Sequence, residues 1–255
     1  MLKPEEKIRK KLERFERIRD RKFKSLDEGR VPEENLPKVY LSIGSKAFSI
    51  GLYKLSLGEC GDSVTDFEFA AEWYNKGVYE TRQRRNSLSD DFEGGERLLN
   101  YLYVSILSKN EELLDQAAEL CLNTSEKHYD QFSTNYRYYF MKALAATIRG
   151  TGDEQRYLNE LGATLPELPD DHYQFFDALW TILTGITQSN SDQFYSGTNQ
   201  FLEWHENNKI DLESRTSADD LICKQITSFI IVANQKDMDV RVESPYIPEC
   251  IYEWV

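Results

Sequence analysis

Residues 136–165 read YRYYFMKALAATIRGTGDEQRYLNELGATL, and this stretch decides the fold class. Tyr136, Phe140, Ala143, Leu144 and Thr147 recur at intervals of three and four, which places them along one side of a helix. Gly150 follows, a residue suited to the left-handed conformation that closes many helices. Thr151 and Glu154 then form a start signal, because hydroxyl and carboxylate together satisfy backbone N–H groups left open at a helix N-terminus. Tyr157, Leu158, Leu161 and Leu165 resume the helical spacing. The pattern predicts a helix, a tight turn and a second, capped helix.

The same layout extends in both directions. Ser63/Asp66, Ser108/Glu111, Ser189/Asp192 and Thr216/Asp219 repeat the start signal. Successive signals from Ser63 to Ser189 lie 45, 43 and 38 residues apart, within the range of arrays built from helix pairs. Apolar stripes flank them, from Ile43, Ala47 and Ile50 to Ile226, Phe229, Ile230 and Ala233. Gly185 reads as a second helix-closing glycine. No alternating strand pattern competes, although Met238 to Val242 has the composition of a short extended piece. The expected fold is all-α: stacked antiparallel α-hairpins, or an irregular bundle of antiparallel neighbours.

Charge divides the chain. Residues 1–30 hold 12 Lys/Arg against 7 Asp/Glu, whereas the formal charge of the whole is −13. With Gly29, Pro32 and Pro37 marking a break, residues 1–30 are expected as a basic helical arm and 31–255 as one all-α domain. So acidic a body repels nucleic acid and anionic membrane over most of its surface, and favours a basic protein partner or plain solubility. No run of 18 apolar residues is present, and Met1 to Glu6 lacks the apolar core of a signal peptide. Cys60, Cys121, Cys223 and Cys250 are widely spaced with no CxxC pair, which reads as reduced, buried thiols of a cytoplasmic protein.

Catalytic signatures are missing. His128, His172 and His205 stand in no ligand spacing, so neither metal nor cofactor is expected. There is no GxSxG elbow and no phosphate-cradling glycine loop. Abundant carboxylates leave an unrecognised paired-carboxylate enzyme as a third-ranked function. Fifteen tyrosines and four tryptophans are more informative, because such rings combine contact area with a polar tip. The expected partner-binding residues are Asp90, Asp91 and Glu93 in an acidic loop, Asp170 and Asp171 ahead of the Phe176 helix, and the aromatics Tyr138 and Trp204. Each acid also has a plain reading, as a solvated surface group or a helix cap.

The tyrosine-rich helix from Tyr136 to Ala146, its Gly150-Thr-Gly-Asp153 turn, and Ser244-Pro-Tyr-Ile-Pro-Glu-Cys-Ile251 resemble the immunity protein 49 family. The resemblance covers about residues 36–255 and omits the basic N-terminal segment. It implies a protein of polymorphic toxin systems that neutralises a cognate toxin, and an acidic surface suits a basic, nuclease-type toxin domain. The alternative is a helical-repeat adaptor or regulator with no toxin partner.

Overall fold

The computed structural model describes residues 4–85, 96–126, 135–208 and 217–254, and all regular secondary structure among them is helical. The first helix, α1 (Pro4–Asp27), precedes four helix pairs. These are α2 (Leu36–Ser56) with α3 (Cys60–Arg85), α4 (Glu96–Leu107) with α5 (Glu111–Leu122), α6 (Asn135–Arg149) with α7 (Glu154–Thr164), and α8 (Asp170–Thr187) with α9 (Ser191–Asn207). Partners pack within each pair, and consecutive pairs meet through α3–α4, α5–α6 and α7–α8. The short α10 (Ala218–Leu221) lies on α2, and α11 (Lys224–Gln235) leads into a tail that ends in a 3-10 turn, Glu249–Glu253.

One device makes all four turns. A residue with positive φ follows each first helix: Gly58 (+77°), Lys109 (+59°), Gly150 (+62°) and Ser189 (+52°). The chain folds back on itself there, as when Glu59 N donates to Lys54 O at 3.0 Å and Asn190 N to Gly185 O at 2.8 Å. In the second and fourth turns the second helix is then capped from the next position. Asn110 Oδ1 accepts from Leu113 N at 3.2 Å, and Asn190 Oδ1 from Gln193 N at 3.1 Å. The caps therefore fall two residues beyond Ser108 and one beyond Ser189. Ser189 is occupied as the left-handed residue, and the Ser108 hydroxyl bonds back to Ser105 O. At the third turn the expected Thr151/Glu154 box does not form: the helix starts at Glu154 behind Asp153, whose side chain makes no cap bond, while Thr151 Oγ1 accepts from Asp153 N at 3.4 Å and Glu154 Oε1 from Gly152 N at 3.2 Å. Ser63 is no cap at all; it lies inside α3 with its hydroxyl on Cys60 O.

Gly185 has a different task from the one its position implied. It lies within α8, where an added Cβ would stand 2.6 Å from Phe194 N of α9. At Gly197 an added Cβ would meet Ile182 N at 2.8 Å and Ala178 O at 2.9 Å. Two glycines on facing helices thus let the α8 and α9 backbones approach one another.

The core lies along the first helices of the pairs. Tyr101 to Ser108 of α4, Phe140 to Thr147 of α6 and Ile226 to Ala233 of α11 are buried at every consecutive position. A helix buried all round must be covered on all sides. The outer helices cover α4 and α6 on one side, and α11 covers them on the other, Phe229 meeting Tyr103 and Phe140 edge-on at 6.4 and 6.3 Å. The C-terminal helix α11 thus packs on α4 and α8 and touches α6 through Phe229.

The N-terminal segment is docked rather than free. Leu12 is buried, Phe15 packs edge-on against Tyr53 at 5.5 Å, and Phe23 against Trp73 at 5.7 Å. Asp66, which the sequence offered as a capping acid, is the buried counter-ion of this joint. It pairs with Arg19 of α1 at 3.1 Å and Lys54 of α2 at 2.6 Å.

A disulfide joins Cys60 at the start of α3 to Cys250 in the tail, with Cα atoms 6.4 Å apart. This corrects the reading of four reduced thiols. With the partners 190 positions apart in sequence, no local spacing announced the pair. Cys121 and Cys223 are buried and take no part in this disulfide. Among the described residues no helix is long and apolar enough to cross a membrane.

Candidate functional site

The last two helix pairs concentrate negative charge. Residues 150–208 contain ten Asp/Glu and a single Lys/Arg, Arg156, which pairs with Asp153 at 3.5 Å. Glu160, Glu167, Asp170, Asp171, Asp192 and Glu203 are exposed and have no cationic partner among the described residues. Asp170 and Asp171 open the first turn of α8, where the helix dipole favours a carboxylate. That placement explains why acids are tolerated there, and it leaves their charge facing solvent. Asp177, in the same helix, is partly buried, and desolvation raises its pKa.

Beside these acids lies a cleft of about 360 Å³. It forms where the starts of α4, α6, α8 and α11 meet the end of α9. Leu99, Tyr103, Phe140, Phe175, Phe176 and Trp204 supply its apolar wall, and Arg137, Asp171, His172 and Lys224 its charged or polar rim. Trp204 packs edge-on against Phe175 at 4.7 Å and tilts over Phe201 at 5.5 Å. Its indole N–H and the Nε of Arg137 are both buried, and neither has a hydrogen-bond partner among the described residues. His172 Nδ1 stands 3.5 Å from the Tyr136 hydroxyl. Lys224 is paired with Asp219 at 2.8 Å. Burial pushes the Tyr103 phenol far above its usual range, so it stays a neutral hydrogen-bonding group.

Of the residues singled out from sequence, Asp171 and Trp204 come together at this cleft, with Asp170 next to them in the chain. Asp90, Asp91 and Glu93 lie outside the described residues. Tyr138 is not a surface ring: it is buried, edge-on to Tyr139 at 5.3 Å, with the Lys142 ammonium 5.0 Å from its ring centre. The physical reason is that α6 is covered on both sides, so a ring off its main stripe is still enclosed. Lys142 itself is buried and donates to Leu122 O, and desolvation lowers its pKa.

Arg137, His172 and Lys224 escaped the sequence reading. They come from three helices, and only the stacking of the pairs brings them to one rim. Arg137 follows Tyr136 inside the tyrosine-rich stretch, where the aromatics drew attention away from the cation between them. No group of three or more His, Cys, Asp or Glu among the described residues is arranged to hold a metal ion. The geometry offers contact chemistry: an acidic outer surface next to an aromatic recess with donors on its rim.

No family model, curated protein or solved structure matches the chain.

Proposed function

We propose that this protein is a non-catalytic binding protein of the immunity kind, which neutralises a basic toxin domain through the surface of α7, α8 and α9. The observation that carries the reading is the set of six exposed carboxylates, Glu160, Glu167, Asp170, Asp171, Asp192 and Glu203, which have no cationic partner among the described residues and stand near the Trp204 cleft. Uncompensated surface charge of one sign raises the encounter rate with a partner of the opposite sign, and an aromatic recess beside it gives that partner an anchoring point.

The α11 helix bears on the adaptor alternative. Helical-repeat adaptors use an open concave face lined by successive helices, and here α11 covers part of the surface of α4 and α8 and touches α6. A partner is thus directed to the outer surface or to the end of the stack. The cytoplasmic placement, which rested on reduced thiols, loses that support at Cys60 and Cys250, since disulfides persist mainly in oxidising compartments.

The test is co-expression with the product of a toxin-like reading frame beside the gene. The expected result is restored growth and a complex that survives purification. Undiminished killing, with the two proteins eluting separately, would contradict the proposal.

A further inference from the structure

A second cavity shares a wall with the aromatic cleft. It measures about 500 Å³ and lies between the first half of α2 and the start of α4. Lys38, Ser42 and Ser45 of α2 line it at helical spacing, and Arg97 and Asn100 of α4 face them, with Tyr74 of α3 in the wall. Asn100 lines both cavities. Among the described residues, three Lys/Arg side chains border the second cavity and no carboxylate does. One of them, Lys46, is engaged with the Phe15 ring at 4.6 Å. Lys38 and Arg97 are exposed and have no carboxylate partner among the described residues.

This is unusual in a chain with 44 acidic residues against 31 basic ones. The net charge repels nucleic acid over most of the surface, yet the charged side chains described around this cavity are all cations, and a concave site strengthens their pull on an anion. The neighbouring cleft adds what a simple anion site lacks: flat apolar rings at Phe175 and Trp204, and the cation Arg137. The two linings together pair phosphate-type donors with stacking surfaces.

We propose that these two adjoining cavities bind a nucleotide, which occupies the Trp204 cleft when no protein partner is anchored there. The base lies against Phe175 and Trp204, the phosphates sit at Lys38 and Arg97, and the Asn100 amide stands where the sugar bridges the two. A free nucleotide and the end of a single nucleic-acid strand present the same chemistry, so the test must separate these sources.

The full-length chain is titrated by calorimetry with ATP, a single-stranded adenine octamer, inorganic triphosphate and poly-glutamate. ATP is expected to bind saturably, and Lys38→Ala with Arg97→Ala to weaken it roughly tenfold or more. Both residues are exposed, so an unchanged circular dichroism spectrum should accompany the loss. Trp204→Phe should retain binding while abolishing most of the ATP-dependent change in tryptophan fluorescence. An octamer that binds more tightly than ATP, with the same sensitivity to the Lys38 and Arg97 changes, assigns the site to a strand end. Triphosphate binding as tightly as ATP overturns the role of the rings. Poly-glutamate displacing ATP with equal affinity, no saturation by either nucleotide source at about 1 mM, or indifference to the double substitution overturns the site.

Discussion

The first helix and the α7–α9 region carry opposite charge, and they use it in opposite ways. Residues 4–27 hold ten Lys/Arg against six Asp/Glu, while residues 150–208 hold one against ten. In α1 the decisive cations turn inward or find partners: Arg19 reaches buried Asp66, and Arg9 meets Glu59 at 2.9 Å. In α7–α9 six carboxylates face solvent unpaired among the described residues. The lesson is that the sign of a charged segment does not reveal its role. What matters is where its counter-charge lies. A segment whose counter-ion is buried in the body is a structural joint, and one whose counter-ion is missing is open to a partner.

The largest effect is expected at the joint. Asp66→Ala leaves Arg19 and Lys54 without their shared carboxylate in a buried setting, which should cost about 3–5 kcal/mol in urea unfolding. A loss below about 1 kcal/mol would mean that the apolar contacts of Leu12 and Phe15 hold α1 by themselves. Next comes the tie between the ends of the chain. Cys60→Ser with Cys250→Ser should reduce stability by about 2–4 kcal/mol, since the bond closes a very long loop of the unfolded chain. Thiol labelling of the denatured, unreduced protein should find only Cys121 and Cys223 reactive; four labelled thiols would remove the bond from the account. A smaller effect is expected where α8 and α9 approach. Gly197→Ala forces a Cβ toward Ile182 N and Ala178 O, and should cost about 1–3 kcal/mol. If it is neutral, the acidic pair is more plastic than its close packing implies.

The helices were legible because apolar periodicity is local. Tyr136 to Thr147 and Ile226 to Ala233 can be read from spacing alone, and both form buried helices. The caps of α5 and α9 were legible to within two residues, whereas Ser63 marked no cap. Serine, asparagine and a left-handed residue compete within one turn, and Asn110 and Asn190 prevailed over Ser108 and Ser189 because the preceding residue was needed to close a helix. What could not be read depends on distant pairing. Asp66 looked like a cap until Arg19 and Lys54 were placed beside it, and Cys60 looked like a lone thiol until the tail brought Cys250 to it. The candidate surface divides the same way. Acidity at Asp170 and Asp171 is a property of composition, whereas the cleft joining Trp204 to Arg137 and His172 exists only after the pairs stack.

The central claim, that the unpaired carboxylates of α7–α9 recruit a basic partner, is tested most directly by an association rate. A captured partner is passed over immobilised wild-type protein and over a variant carrying Asp170→Asn, Asp171→Asn, Asp192→Asn and Glu203→Gln. Asp170, Asp171 and Asp192 stand in first helical turns, so the variant should lose about 1–3 kcal/mol of stability and remain folded, which circular dichroism checks. Wild-type association should slow as salt rises, because exposed charges are screened over roughly 8 Å at physiological ionic strength. The variant should associate more slowly at low salt and lose most of that salt dependence, with dissociation changing less. An association rate indifferent both to the four substitutions and to salt would contradict the account.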